Sequence, residues 1–462
     1  MIKDILFNVR KILGLKLNFI LSDKYFIKQF FAIFSEISNK NKIGKQGELV
    51  IKDFIDKNIF TKSPLLYFNY KFNEYSVFHD FYLINYEGET EARGFSFDIN
   101  EALAKAIGEA IERKYTKDLH SNKDIIVSNY RNLLHDCQGK NIKVLDLDVL
   151  CKPTKSQIDN SNINFEYNKN SKFAWIEGYD IFNSCKIYVP MQVAVWGYDL
   201  KYKEPLIFNK ISNGCGAGYS EDDAFESAVY ETIQRDSFFH YWYNNISPNK
   251  IDLKSILDKE INKMVNLLKG EGFIIQVFNL SDKSFIPTVC VFLNKGNTGY
   301  YVGASTSNSL KAATLRAIQE AFSIYMWQQE NLKAGEMVQE NFLKQKIKEN
   351  FSDERMIQRN RTMFWANKPF VKENLDKFSF FFDGGIEDYK NVIIDKNFNL
   401  KVYLKQKYKN IIILNSGKVG SCDYYYCKVL ITPTYNLSLI ETQNMPVLNN
   451  IYPHNTFPHP FP

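Results

Sequence analysis

Apolar positions recur along this chain with two periods. Runs such as Ile142-Lys143-Val144-Leu145, Lys186-Ile187-Tyr188-Val189-Pro190 and the aromatic patch Leu66-Tyr67-Phe68-Asn69-Tyr70 predict strands, and the second reads as an edge strand stopped by its proline. Three other segments repeat small apolar residues every three or four positions and predict helices. They read Ala102-Leu-Ala-Lys-Ala-Ile-Gly-Glu109-Ala-Ile-Glu112-Arg113, Ala224-Phe-Glu-Ser-Ala-Val-Tyr-Glu231-Thr-Ile-Gln234-Arg235 and Ala313-Thr-Leu-Arg316-Ala-Ile-Gln-Glu320-Ala-Phe.

The three helices share one frame. With Glu109 over Glu231, residues Ala102, Ala106, Ile111 and Arg113 fall over Ala224, Ala228, Ile233 and Arg235, and Glu320 takes the shared position in the third. The spacing is too long for a solenoid and points to three similar helices gathered at one site. Each has a start signal: Asp98 or Asn100, then Ser220 with Asp223, then Asn308 or Ser309.

Residues 1–85 combine helical periodicity with strand-like patches and no chemical signature, and are expected to form an N-terminal extension. Residues 86–462 carry the pattern above without a Gly/Ser or Pro-rich linker, and are expected to form one large domain. The stretch from Gln328 to Lys368, dense in charges and amides, reads as solvated helices. The expected class is α+β, with mixed and antiparallel sheets.

Composition narrows the picture little. Of 462 residues, 45% are hydrophobic, 15% aromatic and 24% charged, which is ordinary globular composition with a net charge of +6. No basic block suggests nucleic acid, and no apolar run suits a signal peptide or a membrane span. The amphipathic start at Met1 fits a docking helix better than peripheral membrane contact. Seven Cys without a CxxC pair read as reduced thiols of a cytoplasmic protein rather than a zinc site.

Residues three or four apart on a helix share a face, so Glu109 and Glu112 project together, as do Ser227, Glu231 and Gln234, and Arg316 with Glu320. Any one such helix is ordinarily a solvated face with local ion pairs. If the three converge, four carboxylates meet, which is unfavourable unless cations intervene, and Mg²⁺ bridging to phosphate suits clustered oxygens. Arg316 and Arg235 then become candidate phosphate donors. Loops containing Arg93-Gly94 and Asn213-Gly214 precede two of the helices and can present N–H groups to phosphate. They match neither a P-loop nor a dinucleotide fingerprint, and Asn213 can orient a phosphate or adopt a left-handed turn.

These residues resemble the YcaO family. Ser227-x₃-Glu231-x₂-Gln234 meets its second nucleotide motif, Glu109-x₂-Glu112-Arg113 the core of its first, and Arg316-x₃-Glu320 its third helix. Lys105 and Ser323 depart from the serine and glutamine that many members carry there. The resemblance implies a YcaO-type fold, with Glu109, Glu112, Glu231 and Glu320 holding Mg²⁺ and Ser227, Gln234, Arg316, Arg93, Asn213 and Arg235 serving ATP. The chain ends Phe457-Pro458-His459-Pro460-Phe461-Pro462. Such a tail is either a loose terminus or a stiff extended segment. In this family a terminal Pro-x-Pro-x-Pro marks azoline-forming members, which implies that Pro458, Pro460 and Pro462 enter the active site, the Pro462 carboxylate being a candidate proton acceptor.

The implied activity is an ATP-dependent peptide cyclodehydratase, making thiazoline or (methyl)oxazoline from Cys, Ser or Thr of a precursor peptide. The implied partners are that peptide, a separate zinc-bearing E1-like, leader-binding subunit and, in some clusters, an FMN-dependent dehydrogenase. The rival readings are a thioamide-forming relative and a non-catalytic nucleotide- or peptide-binding scaffold.

Overall fold

The computed structural model describes residues 65–73, 75–84, 90–117, 124–160, 163–208, 212–281, 286–333, 358–392, 399–419, 424–437 and 445–461. The expected N-terminal helix, Cys422 and Pro462 lie outside the described residues.

The strands in chain order are β1 (Leu65–Asn73), β2 (Ser76–Ile84), β3 (Thr90–Ser96), β4 (Ile126–Asn129), β5 (Ile142–Val144), β6 (Lys172–Asp180), β7 (Cys185–Pro190) and β8 (Cys215–Gly218). They continue as β9 (Asn249–Asp252), β10 (Phe273–Asn279), β11 (Thr288–Lys295), β12 (Tyr301–Thr306), β13 (Ile386–Asp388), β14 (Asn410–Lys418) and β15 (Tyr425–Thr432). The longer helices are α1 (Ile99–Lys117), α2 (Glu221–Tyr243), α3 (Lys259–Gly270), α4 (Leu310–Lys333), α5 (Gln358–Ala366) and α6 (Leu400–Lys407).

The strands form three sheets, ordered β1-β2-β3, then β5-β7-β6-β14-β15-β8 with β4 also on β6, then β12-β11-β10-β9-β13. Pairing is antiparallel except for β5 with β7 and β13 with β9, so two of the sheets are mixed, within the expected α+β class. The boundary expected at residue 85 falls between β2 and β3 of a single sheet, where Tyr82 pairs with Arg93.

Two expectations need correction. The run ending at Pro190 is not an edge: β7 lies between β5 and β6, and Pro190 closes it opposite Trp175, where the missing N–H costs no internal ladder bond. Nor are residues 358–366 a solvated helix, because Arg361, Phe364 and Trp365 are buried in an aromatic core with Phe238, Trp242, Phe278 and Phe381. Each such ring contributes about 1.5–3 kcal/mol through burial.

The helix starts follow the expected caps. Asp98 accepts from Glu101 N, Ser220 from Asp223 N and Ser309 from Ala312 N. Close strand-to-helix packing explains the small residues. A Cβ on Gly94 would sit 2.0 Å from Ala102 O, and one on Gly216 2.2 Å from Ala224 O, so neither strand tolerates a side chain there. Gly303 meets Ala317 O in the same way, at 2.4 Å.

Candidate active site

The strands β3, β8 and β12 each lie at the end of a different sheet, and each is followed by one of the acidic helices. Every pair also touches the next: α1 contacts β8, α2 contacts β12, and α4 contacts β3. This cyclic closure brings the three helices of the sequence repeat around one point.

An end strand leaves backbone N–H groups that need acceptors. Here the shared glutamates supply them, each to a strand residue sixteen positions earlier. Arg93 N donates to Glu109 Oε2 (2.6 Å), Cys215 N to Glu231 Oε2 (3.2 Å) and Ala304 N to Glu320 Oε2 (2.8 Å). Gly214 N adds a second bond to Glu231 at 2.8 Å. Gly214, not Asn213, takes the left-handed conformation of that turn, at φ +72°. One oxygen of each carboxylate is thus fixed to the scaffold. The other oxygen of Glu109 meets Arg113, and that of Glu231 meets Arg235 at 2.8 Å.

The fourth carboxylate, Glu112, reaches from α1 across to Ala217 of β8. Burial first, then the charges of Glu231 and Glu109, hold its pKa well above the ordinary 4.5. Burial also pushes Glu320 up to about 7, with the Ala304 N–H, Arg235 and Arg93 opposing and Glu231 reinforcing. These acids repel one another, and two of them, Glu112 and Glu320, hold their protons more tightly than an ordinary carboxyl does.

Ser227 and Gln234 are half-buried, one turn to either side of Glu231 on α2. Arg316 is exposed at the start of α4, close to Lys105, Glu101 and Tyr230. The Arg93 guanidinium is already engaged. Its Nε and Nη2 clasp Asp80 of β2 at 3.0 and 2.5 Å, and Nη2 also donates to Ser323 O at 2.5 Å. Lys105 is engaged too: its ammonium donates to Phe95 O (3.2 Å) and Gln319 Oε1 (3.1 Å) and pairs with Glu101 (2.8 Å), tying α1 to α4.

Two polar atoms fit the expected triphosphate and cation. Arg235 Nη1 and Asn213 Oδ1 are buried without a hydrogen-bond partner among the described residues, although their sister atoms bond to Glu231 and Asn436. A spare guanidinium donor beside an acid cluster suits a phosphate oxygen, and a spare amide oxygen suits a hydroxyl or a hydrated cation. Carboxylate oxygens are the hard donors that suit Mg²⁺, although among the described residues no three acids stand close enough together to hold a metal ion as placed.

The proline tail runs inward. Pro458, His459, Pro460 and Phe461 are buried against the second half of α2, where Phe461 packs on Phe238 with centroids 4.4 Å apart and His459 on Phe239 at 4.8 Å. Phe238 is seven residues beyond Glu231, about 10 Å along the helix axis. The residues that sequence reasoning missed are Asp80, which holds Arg93, and the tail's bed on α2 and α5. Asp80 had no signal beyond a lone acid in an aromatic hairpin.

The raised acids predict a pH dependence. Bound Mg²⁺ needs ionised carboxylates, so affinity for Mg²⁺ with a nonhydrolysable ATP analogue is expected to rise up to tenfold per pH unit below about 7, with proton release visible by calorimetry. The ligand-free protein has the opposite sign. Glu320, raised in the fold, contributes stability below its ordinary 4.5 that is lost as pH rises through about 7. An affinity flat between pH 5.5 and 7 would remove Glu320 from the cation site.

Comparison with curated protein sequences found no match. Among solved structures, a heterocyclase in complex with substrate and cofactor has a TM-score of 0.64 at 13% identity, covering 92% of this chain and 58% of its own. YcaO from Methanopyrus kandleri, bound with AMPPCP and Mg²⁺, has a TM-score of 0.56 at 14% identity, covering 84% of this chain and 89% of its own. A chain of the E. coli microcin synthetase McbBCD complex with pro-MccB17 bound has a TM-score of 0.59 at 17% identity, covering 86% and 96%. At these identities the likeness establishes the fold, and the chain spans little more than half of the first relative's length. Among the described residues no helix is long and apolar enough to cross a membrane. Residues 93–407, more than half the chain and including all three acidic helices, match the family described as YcaO cyclodehydratase, ATP- and Mg²⁺-binding. The chain therefore belongs to the YcaO cyclodehydratase family, which binds ATP and Mg²⁺.

Proposed function

We propose that the protein is the catalytic subunit of a peptide-backbone cyclodehydratase that consumes ATP to form azolines from Cys, Ser or Thr of a precursor peptide. The observation that carries this reading is that Glu109, Glu231 and Glu320 are each tied to the end strand of a different sheet, with Glu112 feeling the charges of Glu231 and Glu109 and Glu320 that of Glu231, beside the unpartnered donor of Arg235. Bound Mg²⁺ supplies charge neutralisation at the triphosphate. The four glutamates would hold it, and Ser227, Gln234, Arg316, Arg235 and Asn213 would face the nucleotide. Arg93 serves the site by its backbone N–H on Glu109, its side chain being spent on Asp80.

In the reaction, the precursor's thiol or hydroxyl adds to the preceding amide carbon, and the amide oxygen takes the γ-phosphoryl group of ATP. Breaking the β–γ bond releases ADP, the proton of the thiol or hydroxyl goes to solvent, and the C–O bond then breaks with loss of the amide N–H proton, releasing phosphate and leaving the C=N of the ring. The protein's part is to position the reactants and to neutralise developing charge. The buried proline tail, bedded on the helix that carries Glu231 and Gln234, favours ring formation over thioamide formation. A separate zinc-bearing, E1-like, leader-binding subunit completes the proposed assembly, joined by an FMN-dependent dehydrogenase only where the azolines are oxidised to azoles, and the supply of ATP and of reduced thiols favours the cytoplasm.

The test is to incubate the protein with its leader-binding partner, ATP, Mg²⁺ and precursor, and to weigh the product. Loss of one water per ring, with precursor-dependent ADP release, is expected. Exchange of oxygen for sulfur would establish the thioamide reading. Nucleotide binding without precursor-stimulated turnover would establish the scaffold.

A further inference from the structure

The tail is held by more than apolar packing. Trp242 Nε1 donates to Phe457 O at 2.9 Å, Trp365 Nε1 to Pro458 O at 3.1 Å and Arg361 Nη1 to Phe461 O at 3.2 Å. All three donors belong to fully buried side chains, and the two indoles pack edge to face with centroids 5.7 Å apart. Upstream, the backbone of His454 and Asn455 bonds to Tyr243 O at the end of α2.

This arrangement exceeds what apolar burial of a tail requires. Proline removes backbone donors but leaves carbonyls, which a tail must match with donors when it is buried. Aromatic packing alone is tolerant of sliding, whereas directional donors at three carbonyls fix one register. Two of the donors cannot be replaced by another aromatic residue lacking an N–H, and the third is a charged group whose burial in an aromatic core is costly unless it is used. Glu231 and Gln234 of α2 sit on the same helix as the bed, so the register is set relative to the acid cluster.

We infer that Trp242, Trp365 and Arg361 form a three-donor clamp that fixes the register of residues 457–461 on α2, and that they are positioning residues for ring formation. This rests on the function proposed above.

Trp365→Phe and Trp242→Phe keep a ring but delete the N–H, and Arg361→Lys keeps the charge but loses the planar fork. Hydrogen exchange of the amides of Thr456, Phe457, His459 and Phe461 in the full-length protein reads the clamp directly. Exchange about tenfold faster in each variant is expected, confined to the tail, with affinity for AMPPCP and Mg²⁺ unchanged and cyclisation about tenfold slower. If a Trp variant melts globally, exchange in Arg361→Lys decides the matter. Tail exchange unchanged in the folded variants would overturn the clamp, whatever the enzyme's activity. Faster tail exchange with cyclisation at the original rate would overturn the positioning role. A failure of the proposed function is seen separately, as absence of precursor-dependent turnover in the unsubstituted protein.

Discussion

Replacing Glu231 by Gln is expected to lower precursor-dependent ATP turnover by about 10³-fold, about 4 kcal/mol of transition-state stabilisation, without loosening the fold. The substituted amide keeps an oxygen to accept the bonds from Gly214 N and Cys215 N, so the turn before α2 is preserved. What it loses is the charge that a bound cation needs. The ion pair with Arg235 also goes, at a cost reduced by solvent because the glutamate side chain is a quarter exposed and Gln can still accept from the guanidinium. Against that loss stands relief of repulsion, since Glu231 is among the charges that raise both Glu112 and Glu320. The ligand-free variant should therefore melt at the same temperature or higher while turnover collapses. A purely structural glutamate would give the opposite pair of results, and turnover within tenfold of the unsubstituted protein would remove Glu231 from the site.

That opposition between charge repulsion and function explains why the helical half of the site could be read from residue letters. Ala, Ile and Glu recur in one frame because each helix must pack closely and project an acid in the same direction. The strand half could not be read that way. The donors at Arg93, Cys215 and Ala304 are backbone N–H groups, and the residues that bear them share no side-chain type. The interval of sixteen residues common to all three becomes visible only once the end strands are known. Misassignments elsewhere have similar causes. Strand β7 looked like an edge because its parallel partner β5 lies some forty residues earlier, across a crossover that leaves no local mark. Residues 358–366 looked solvated because Arg361 and its polar neighbours are dense in hydrophilic letters, whereas the fold spends the guanidinium on a carbonyl inside the core. Lys105, standing where the family often has serine, has its ammonium committed to the α1–α4 junction.

The hairpin before the matched family segment carries the second large effect. Asp80 is fully buried and holds the Arg93 guanidinium in a two-pronged pair, with Tyr82 donating to the same carboxylate at 2.9 Å. Removing one partner of such a pair leaves an uncompensated charge, so Asp80→Leu is expected to cost about 3–5 kcal/mol of stability by denaturant unfolding. The loss should reach the active site, because the residue so released is the one whose N–H fixes Glu109 and whose guanidinium ties β3 to Ser323 O on α4. Affinity for Mg²⁺ and nucleotide should fall with stability. The double variant Asp80→Leu with Arg93→Met separates the two effects, since replacing a buried pair by apolar residues of similar size is often neutral. Stability is expected to recover most of the loss, giving a coupling energy above about 2 kcal/mol in the mutant cycle. Nucleotide affinity should recover with it, because the backbone donor of residue 93 is retained. Additive costs in the cycle would mean that the pair does not hold β3 in place, and that the position of Glu109 is set by its helix alone.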